Sequence, residues 1–423
     1  MSATLFVNAS QVVTCNGPPR ARRGPEMRDA RVLEDAAVAV EGESIAAVGS
    51  TAELERAFPE AQRVDCARGV LTPGLVDSHT HAIFGRARAA EHEMRAAGLD
   101  YMAIAQQGGG IHASIRDLHG RGEDELVALA RARLTRLASY GATTVEVKSC
   151  YGLTGDDELR SLRAIARLAA ELPMRLVPTW LGAHEIPHAA RATAAARAAH
   201  VAMLTDEMLP RVAAEHLARF ADVFCEPGVF TVEETRTILA ASRAHGLELK
   251  LHADELRPSG GAELAAELGA VSADHLGAIG DAGIAALAHA GTVATLLPGT
   301  MVFLGKGKQA PARALIDGGA AVALATDFNP GTSPTPNLPL VLTLGVSELR
   351  MSASEAIIAA TVNGAAALAL ADRIGQLSPG FQADLALFEI EDFRELPYWY
   401  GDRRCMGTWR GGKPCHPYHL RLG

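Results

Sequence analysis

Residues 70–81 read VLTPGLVDSHTH. The run is mainly apolar as far as Val76, with Thr72 and a Pro-Gly break, then turns polar and ends in two imidazoles two positions apart. Strand side chains alternate faces, so a strand carries His79 and His81 on the same side. In parallel barrels the site residues gather where strands end at the C-terminal face. An apolar strand that stops in metal-capable groups predicts that setting.

The pattern repeats downstream. Strands are expected at Thr143–Lys148, Arg175–Leu181, Ala221–Cys225, Leu247–His252, Ala273–His275, Val293–Leu297 and Val322–Thr326. Between them, apolar residues at three-to-four spacing predict helices at Glu123–Tyr140, Asp156–Glu171, Thr205–Phe220, Val232–His245, Gly260–Leu268, Asp281–Ala290, Pro311–Asp317 and Met351–Ala371. About eight strand–helix units in about 300 residues predict an α/β fold, a (β/α)8 barrel of the TIM type. No G-x-G-x-x-G follows a strand and no P-loop is present, which disfavours an open nucleotide-binding sheet.

Outside this run the texture is β-rich. Short strands are expected at Thr4–Asn8, Gln11–Cys15, Ala36–Glu41, Ser44–Val48 and Val64–Cys66, and strand alternation returns after Gly375. The simplest organisation is one small β-sandwich domain built from both ends, 1–70 and 372–423, around a barrel at 71–371. The arginine-rich stretch Gly17–Arg28 reads as a mobile loop with a solvated face.

Composition narrows the function. The 423 residues carry 40 Lys+Arg against 49 Asp+Glu, a net charge of -9, which argues against nucleic-acid or anionic-membrane partners. Six scattered Cys form no C-x-x-C pair and fit a reducing cytoplasm. Neither a signal peptide nor an apolar run long enough to span a membrane is read. A small molecule is the expected partner, and a symmetric homodimer is the default assembly.

The strand ends supply the chemistry. His252 and Asp327 would complete a three-His, one-Asp metal set with His79 and His81, leaving room for water. Imidazole and carboxylate suit zinc or iron alike. A metal there would bring the water's pKa towards neutral. Glu255, three residues past His252, could take that proton as general base and return it to a leaving nitrogen. His275 could donate to the developing oxyanion. Asp254 and Asp274 read as supporting carboxylates. Which carboxylate, Glu255 or Asp327, protonates the leaving group stays open.

At these residues the chain resembles the amidohydrolase superfamily and, within it, the imidazolonepropionase family of histidine degradation. The segments carrying the resemblance are PGLVDSHTHAIFG (73–85), QQGGGIHA (106–113), TTVEVKSCYGL (143–153), LGAHEIP (181–187), DVFCEPGVF (222–230), KLHADEL (250–256), SADHLG (272–277), TVATLLPGT (292–300) and ALATDFNPGTSPT (323–335). The resemblance implies one zinc or iron per chain on His79, His81, His252 and Asp327. It implies hydrolysis of the ring amide of 4-imidazolone-5-propanoate to N-formimidoyl-L-glutamate. It implies substrate contacts from Arg88, Tyr151, His184, Glu255, Asn329, Gly331 and Thr332. It also implies an unmodified Lys148, where binuclear relatives carry a carboxylated lysine.

The residue chemistry agrees with that implication. A propanoate needs a cation, and Arg88 offers a planar two-pronged donor. Gly331 and Thr332 could present backbone N–H groups to an oxygen, and Tyr151 a hydroxyl and a ring face. The competing reading is an aminohydrolase, a deaminase of a heterocyclic ring. That class also pairs a strand-end His with a Glu three residues on, but a neutral base does not require an anion anchor.

Overall fold

The eight expected barrel strands form and lie side by side in sequence order. In the computed structural model, which describes residues 3–99, 103–104 and 108–417, they are β1 (Leu75–Asp77), β2 (Ala142–Ser149), β3 (Arg175–Ala183), β4 (Phe220–Cys225), β5 (Glu248–Ala253), β6 (Ser272–His275), β7 (Val293–Leu296) and β8 (Val322–Leu324). Each pairs in parallel with its neighbours. Closure falls just beyond the ends of β8 and β1. Thr80 and Phe328 form a parallel bridge, His81 N–H donates to Phe328 O at 2.9 Å and Asp327 N–H to His79 O at 3.0 Å.

The helices begin where local chemistry starts them. Thr231 and Glu234 form a reciprocal capping box at the head of the helix Val232–Ala244. Three acidic residues occupy the first turn of Glu123–Ala138 and complement its dipole.

Two expected helices have other bounds. The one over Met351–Ala371 is two pieces, Ala353–Ala359 and Val362–Ala366. Ala360 O leaves the helical ladder to accept the N–H of Val76 in β1 at 2.8 Å. Thr361 Oγ1 then donates to Ile357 O at 2.7 Å. The demand of β1 for a partner outweighs helix propagation. The helix expected over Thr205–Phe220 begins earlier, at Ala194, and ends at Ala214. Pro210 has no N–H to give, and the preceding turn widens into π-helix over Met203–Met208.

The chain ends meet in a sandwich. Thr4–Val7, Ala36–Glu41, Ser44–Ser50 and Gln62–Asp65 form a four-stranded sheet. Gln11–Val13, Val32–Glu34 and Val70–Pro73 join Leu385–Phe388, Cys405–Arg410 and Lys413–His416 in a six-stranded one. Leu385–Phe388 pairs antiparallel with Val70–Pro73, so late strand meets early strand directly. Phe6, Val38 and Ile45 of one sheet pack on Leu71, Leu385 and Trp409 of the other. Phe6 and Trp409 meet edge to face at 4.9 Å.

Gly17–Arg28 is solvated only in part: Arg20 and Arg28 are exposed, as expected, but Arg22 is not. Arg22 is buried, donates to the carbonyls of Cys15, Pro18 and Arg20, and gives its own N–H to Asn363 Oδ1 at 2.7 Å. Gly24–Arg28 is a short 3-10 helix. A guanidinium with enough carbonyl acceptors can organise a segment from inside, which composition alone does not reveal.

Candidate active site

Closure of the barrel assembles the ligand cluster. His79 Nε2 and His81 Nε2 lie 3.2 Å apart. Asp327 Oδ1 is 3.6 Å from the first and 3.3 Å from the second. The ring of His252 comes within 4.6 Å of the His79 ring, centre to centre. Metal–ligand bonds of about 2.0–2.1 Å in a tetrahedron put donor atoms about 3.3 Å apart, close to these spacings. Among the described residues His252 Nε2 is buried without a hydrogen-bond partner, as an unused ligand atom would be. Burial, helped by the nearby Lys148 charge, holds His79 well below the usual imidazole range. Burial likewise lowers His252 to about 4, although Asp222 opposes it. Neutral imidazole is the ligating form, so the residues present fit a metal ion.

Three residues of this rim have positive φ without being glycine: Asp254 at 49°, His275 at 77° and Asp327 at 51°. That region disfavours a side chain by about 1–3 kcal/mol each. The bends turn Asp327 and His275 inward at the strand ends. Against the opposing effect of burial, the His81 hydrogen bond and the His275 charge bring Asp327 to about 2. Thr300 Oγ1 donates to its other oxygen at 2.6 Å.

Beneath the ligands lies a buried charge network. His79 Nδ1 is 2.6 Å from Asp274 Oδ2. Asp222 Oδ2 is 2.9 Å from His252 Nδ1 and 2.7 Å from Lys148 Nζ. Lys148 also reaches Glu146 at 2.9 Å. Lys250 donates to the carbonyls of Ser78 at 3.1 Å and Ala367 at 3.2 Å, and lies 3.6 Å from Glu146. Carboxylates held against the far nitrogens of ligand histidines fix their orientation. Lys148 is buried, yet Asp222, Glu146 and Asp274 keep its ammonium above its ordinary range. Its side chain is engaged by Asp222 and Glu146 beneath the ligand cluster.

Asp222, Glu146, Lys250 and Thr300 were missed in the sequence. The available signal was a charged residue among apolar strand positions, one in FADVFC and two in TTVEVKS. Asp274 is the supporting carboxylate expected. Asp254 instead ties its own loop, accepting N–H groups from Gly260 and Ala262.

On the open side, Glu255 Oε1 lies 3.8 Å from His275 Nδ1, and burial raises the Glu255 carboxyl above its usual range. His184 stacks on His81, with ring centres 5.0 Å apart. Its Nδ1 is 3.0 Å from Cys150 O, which makes Nδ1 the donor and leaves Nε2 as acceptor. Tyr151 is buried, 5.8 Å from the His184 ring. Arg88 immediately precedes the helix Ala89–Ala96; among the described residues its buried Nε has no hydrogen-bond partner, and Glu91 Oε2 lies 3.6 Å away. Gly331 admits the guanidinium: a Cβ there would sit 1.1 Å from an Arg88 terminal nitrogen.

One expectation fails in this loop. The N–H groups of Gly331 and Thr332 are not free for a ligand oxygen. Both donate to Asn329 Oδ1, at 2.8 and 2.7 Å. Asn329 Nδ2 in turn donates to Asp327 O at 2.6 Å. An Asx turn consumes the donors locally. Asn329, Gly331 and Thr332 thus sit together beside Arg88, with Asn329 shaping the loop. Gln106, Gln107 and His419 lie outside the described residues. Cys405 and Cys415 fall in adjoining strands of the six-stranded sheet.

Comparison with known proteins sharpens the picture. A model described as the amidohydrolase family matches residues 108–416. One described as an imidazolonepropionase-like composite domain of bacteria matches residues 36–61. An imidazolonepropionase of Solibacter usitatus is 44% identical over 414 residues, 98% of each chain. That of Symbiobacterium thermophilum is 46% identical over 401 residues, covering 94% of this chain and 93% of its own. Among solved structures, an adenosine deaminase from Xanthomonas campestris with bound zinc superposes with a TM-score of 0.70 at 22% identity, over 100% of this chain and 95% of that one. Escherichia coli guanine deaminase gives 0.72 at 16%, over 99% and 100%. At such identities the two deaminases speak for the fold alone. The family model spans most of the chain and the imidazolonepropionases align along nearly all of it, so the chain belongs to the imidazolonepropionase family of amidohydrolases.

Proposed function

We propose that this enzyme hydrolyses the ring amide C–N bond of 4-imidazolone-5-propanoate to N-formimidoyl-L-glutamate. The observation that carries the reading is identity to imidazolonepropionases along almost the whole chain. His79, His81, His252 and Asp327 would hold a zinc or iron ion, which when bound would supply Lewis acidity and lower the pKa of a water.

The chain's own groups do the rest. Arg88 pairs with the propanoate, and Tyr151 and His184 line the flat ring. Glu255 takes the proton as water adds to the ring carbonyl carbon. His275 donates to the oxygen on which negative charge develops. Glu255 then returns the proton to the ring nitrogen as the C–N bond breaks, and the former carbonyl carbon becomes the new carboxylate of the product. A carboxyl raised by burial is suited to both transfers near neutral pH.

The test is loss of imidazolonepropanoate absorbance by protein of assayed metal content, with Asp327→Ala as control. Turnover that vanishes together with metal in the control supports the reading. Metal-loaded protein that leaves the substrate untouched removes it.

Arg88→Ala should raise KM about 10- to 100-fold, the worth of a charged hydrogen bond of about 1.5–3 kcal/mol. The kcat should change little, because the propanoate is held equally before and during reaction. An unchanged KM would remove Arg88 as the anchor.

A further inference from the structure

Glu255 sits on a loop that leaves β5 and reaches its next regular element only at Gly261. Leu256, next to it, is 53% exposed. A proton-transfer group on such a loop needs something to hold it, because an error of about 1 Å costs on the order of 100-fold in rate.

The holding group comes from the neighbouring strand. Glu226 follows the last residue of β4 and is 4% exposed. Its Oε1 accepts the Arg257 N–H at 3.0 Å and its Oε2 the Leu256 N–H at 3.4 Å. One buried carboxylate thus gathers two successive backbone donors, immediately after the proposed base. Glu226 is itself fixed: its carbonyl accepts Val229 N–H at 2.8 Å, and Cys225 bridges Phe230 across the same turn.

The rest of the loop is tied from other sides. Asp254 Oδ2 accepts Ala262 N–H at 2.9 Å, and Asp254 O accepts Ala278 N–H at 2.7 Å. Gly277 lies against Glu255, where a Cβ would come 2.5 Å from Glu255 O. Those contacts secure the flanks. Among these ties, Glu226 engages the backbone of the two residues that follow Glu255 through one side chain.

We propose that Glu226 is a positioning residue for Glu255, setting the base's aim through the backbone N–H groups of residues 256 and 257. This rests on the reading of Glu255 as the proton-transfer group. Glu226 touches neither substrate nor metal ligands in this role, so its removal acts only through Glu255.

A double-mutant cycle on the metal-loaded enzyme tests this, with kcat, KM and metal content measured throughout. Glu226→Ala should lower kcat about 10- to 100-fold, with metal content and KM near those of the parent. Glu226→Gln, which keeps an acceptor oxygen, should recover most of the loss. In a Glu255→Gln background, Glu226→Ala should cost less than about twofold, because the group it aims is already gone. Equal losses in the two backgrounds, or a loss confined to KM, would overturn the proposal. If Glu226→Ala does not fold, Glu226→Gln is read in the same two backgrounds. A loss of about threefold that disappears with Glu255→Gln supports the proposal, and an equal loss in both sinks it. Near-normal turnover of Glu255→Gln on its own instead rejects Glu255 as the base, a separate failure.

Discussion

Replacing Glu255 with Gln should lower kcat by about 10²- to 10⁴-fold, the usual contribution of general acid–base catalysis. The substitution keeps the side chain's shape and removes only its capacity to carry a proton. Metal content should stay at the parental value, because the ligand cluster is built on His79, His81, His252 and Asp327. KM should change modestly, since the proposed propanoate anchor is Arg88. The acid side of the pH–rate profile should also flatten. The folded Glu255 carboxyl is raised by burial, so the active carboxylate is lost as pH falls through a value above the ordinary one. A variant with full turnover, or one that loses its metal, would contradict this assignment. The first outcome would leave Asp327 as the remaining carboxylate in the site able to move the proton.

The second large effect is on stability. Lys148→Met should destabilise the fold by about 3–5 kcal/mol, the usual result of removing one partner from a buried ion pair. Lys148, Lys250, Glu146, Asp222 and Asp274 are all fully buried. Three carboxylates already face two ammonium groups. With Lys148 gone, Asp222 loses its 2.7 Å partner and Glu146 its 2.9 Å one. At about 2.1 cal/mol/K of unfolding entropy per residue, a chain this long should melt about 3–6 °C lower. Metal affinity should fall as well, because Asp222 would no longer be held against His252. A melting point within a degree of the parent would mean that Lys148 does not balance these carboxylates.

The barrel was legible because its signal is local. Apolar strands ending in His or Asp at regular intervals announce both the fold and the ligand cluster. The sandwich was legible only as a guess about the two ends, since the pairing of Leu385–Phe388 with Val70–Pro73 is a long-range choice. What escaped was whatever depended on a partner elsewhere. The break near Ala360 follows from a hydrogen bond to Val76, and helical periodicity carries no trace of it. The buried role of Arg22 depends on carbonyls that only the fold brings together. The loop at Asn329 misled in the opposite direction. Gly331 and Thr332 look like free donors until Asn329 is seen to occupy both. Lys148 and Asp222 were visible as letters, but their pairing across neighbouring strands was not.

The seam between the first and last barrel strands also has a consequence for synthesis. Asp77 accepts from the Thr326 hydroxyl at 2.6 Å across 249 residues of sequence. At about 5–20 residues per second, on the order of 10–50 s separates the emergence of the two partners from the ribosome. During that interval His79 and His81 are exposed on a nascent chain without Asp327. The first barrel strand, with its row of unpaired backbone groups, also waits for its neighbour at the seam. A chain stalled before residue 327 should therefore be a substrate for chaperones and a poor, unselective metal binder.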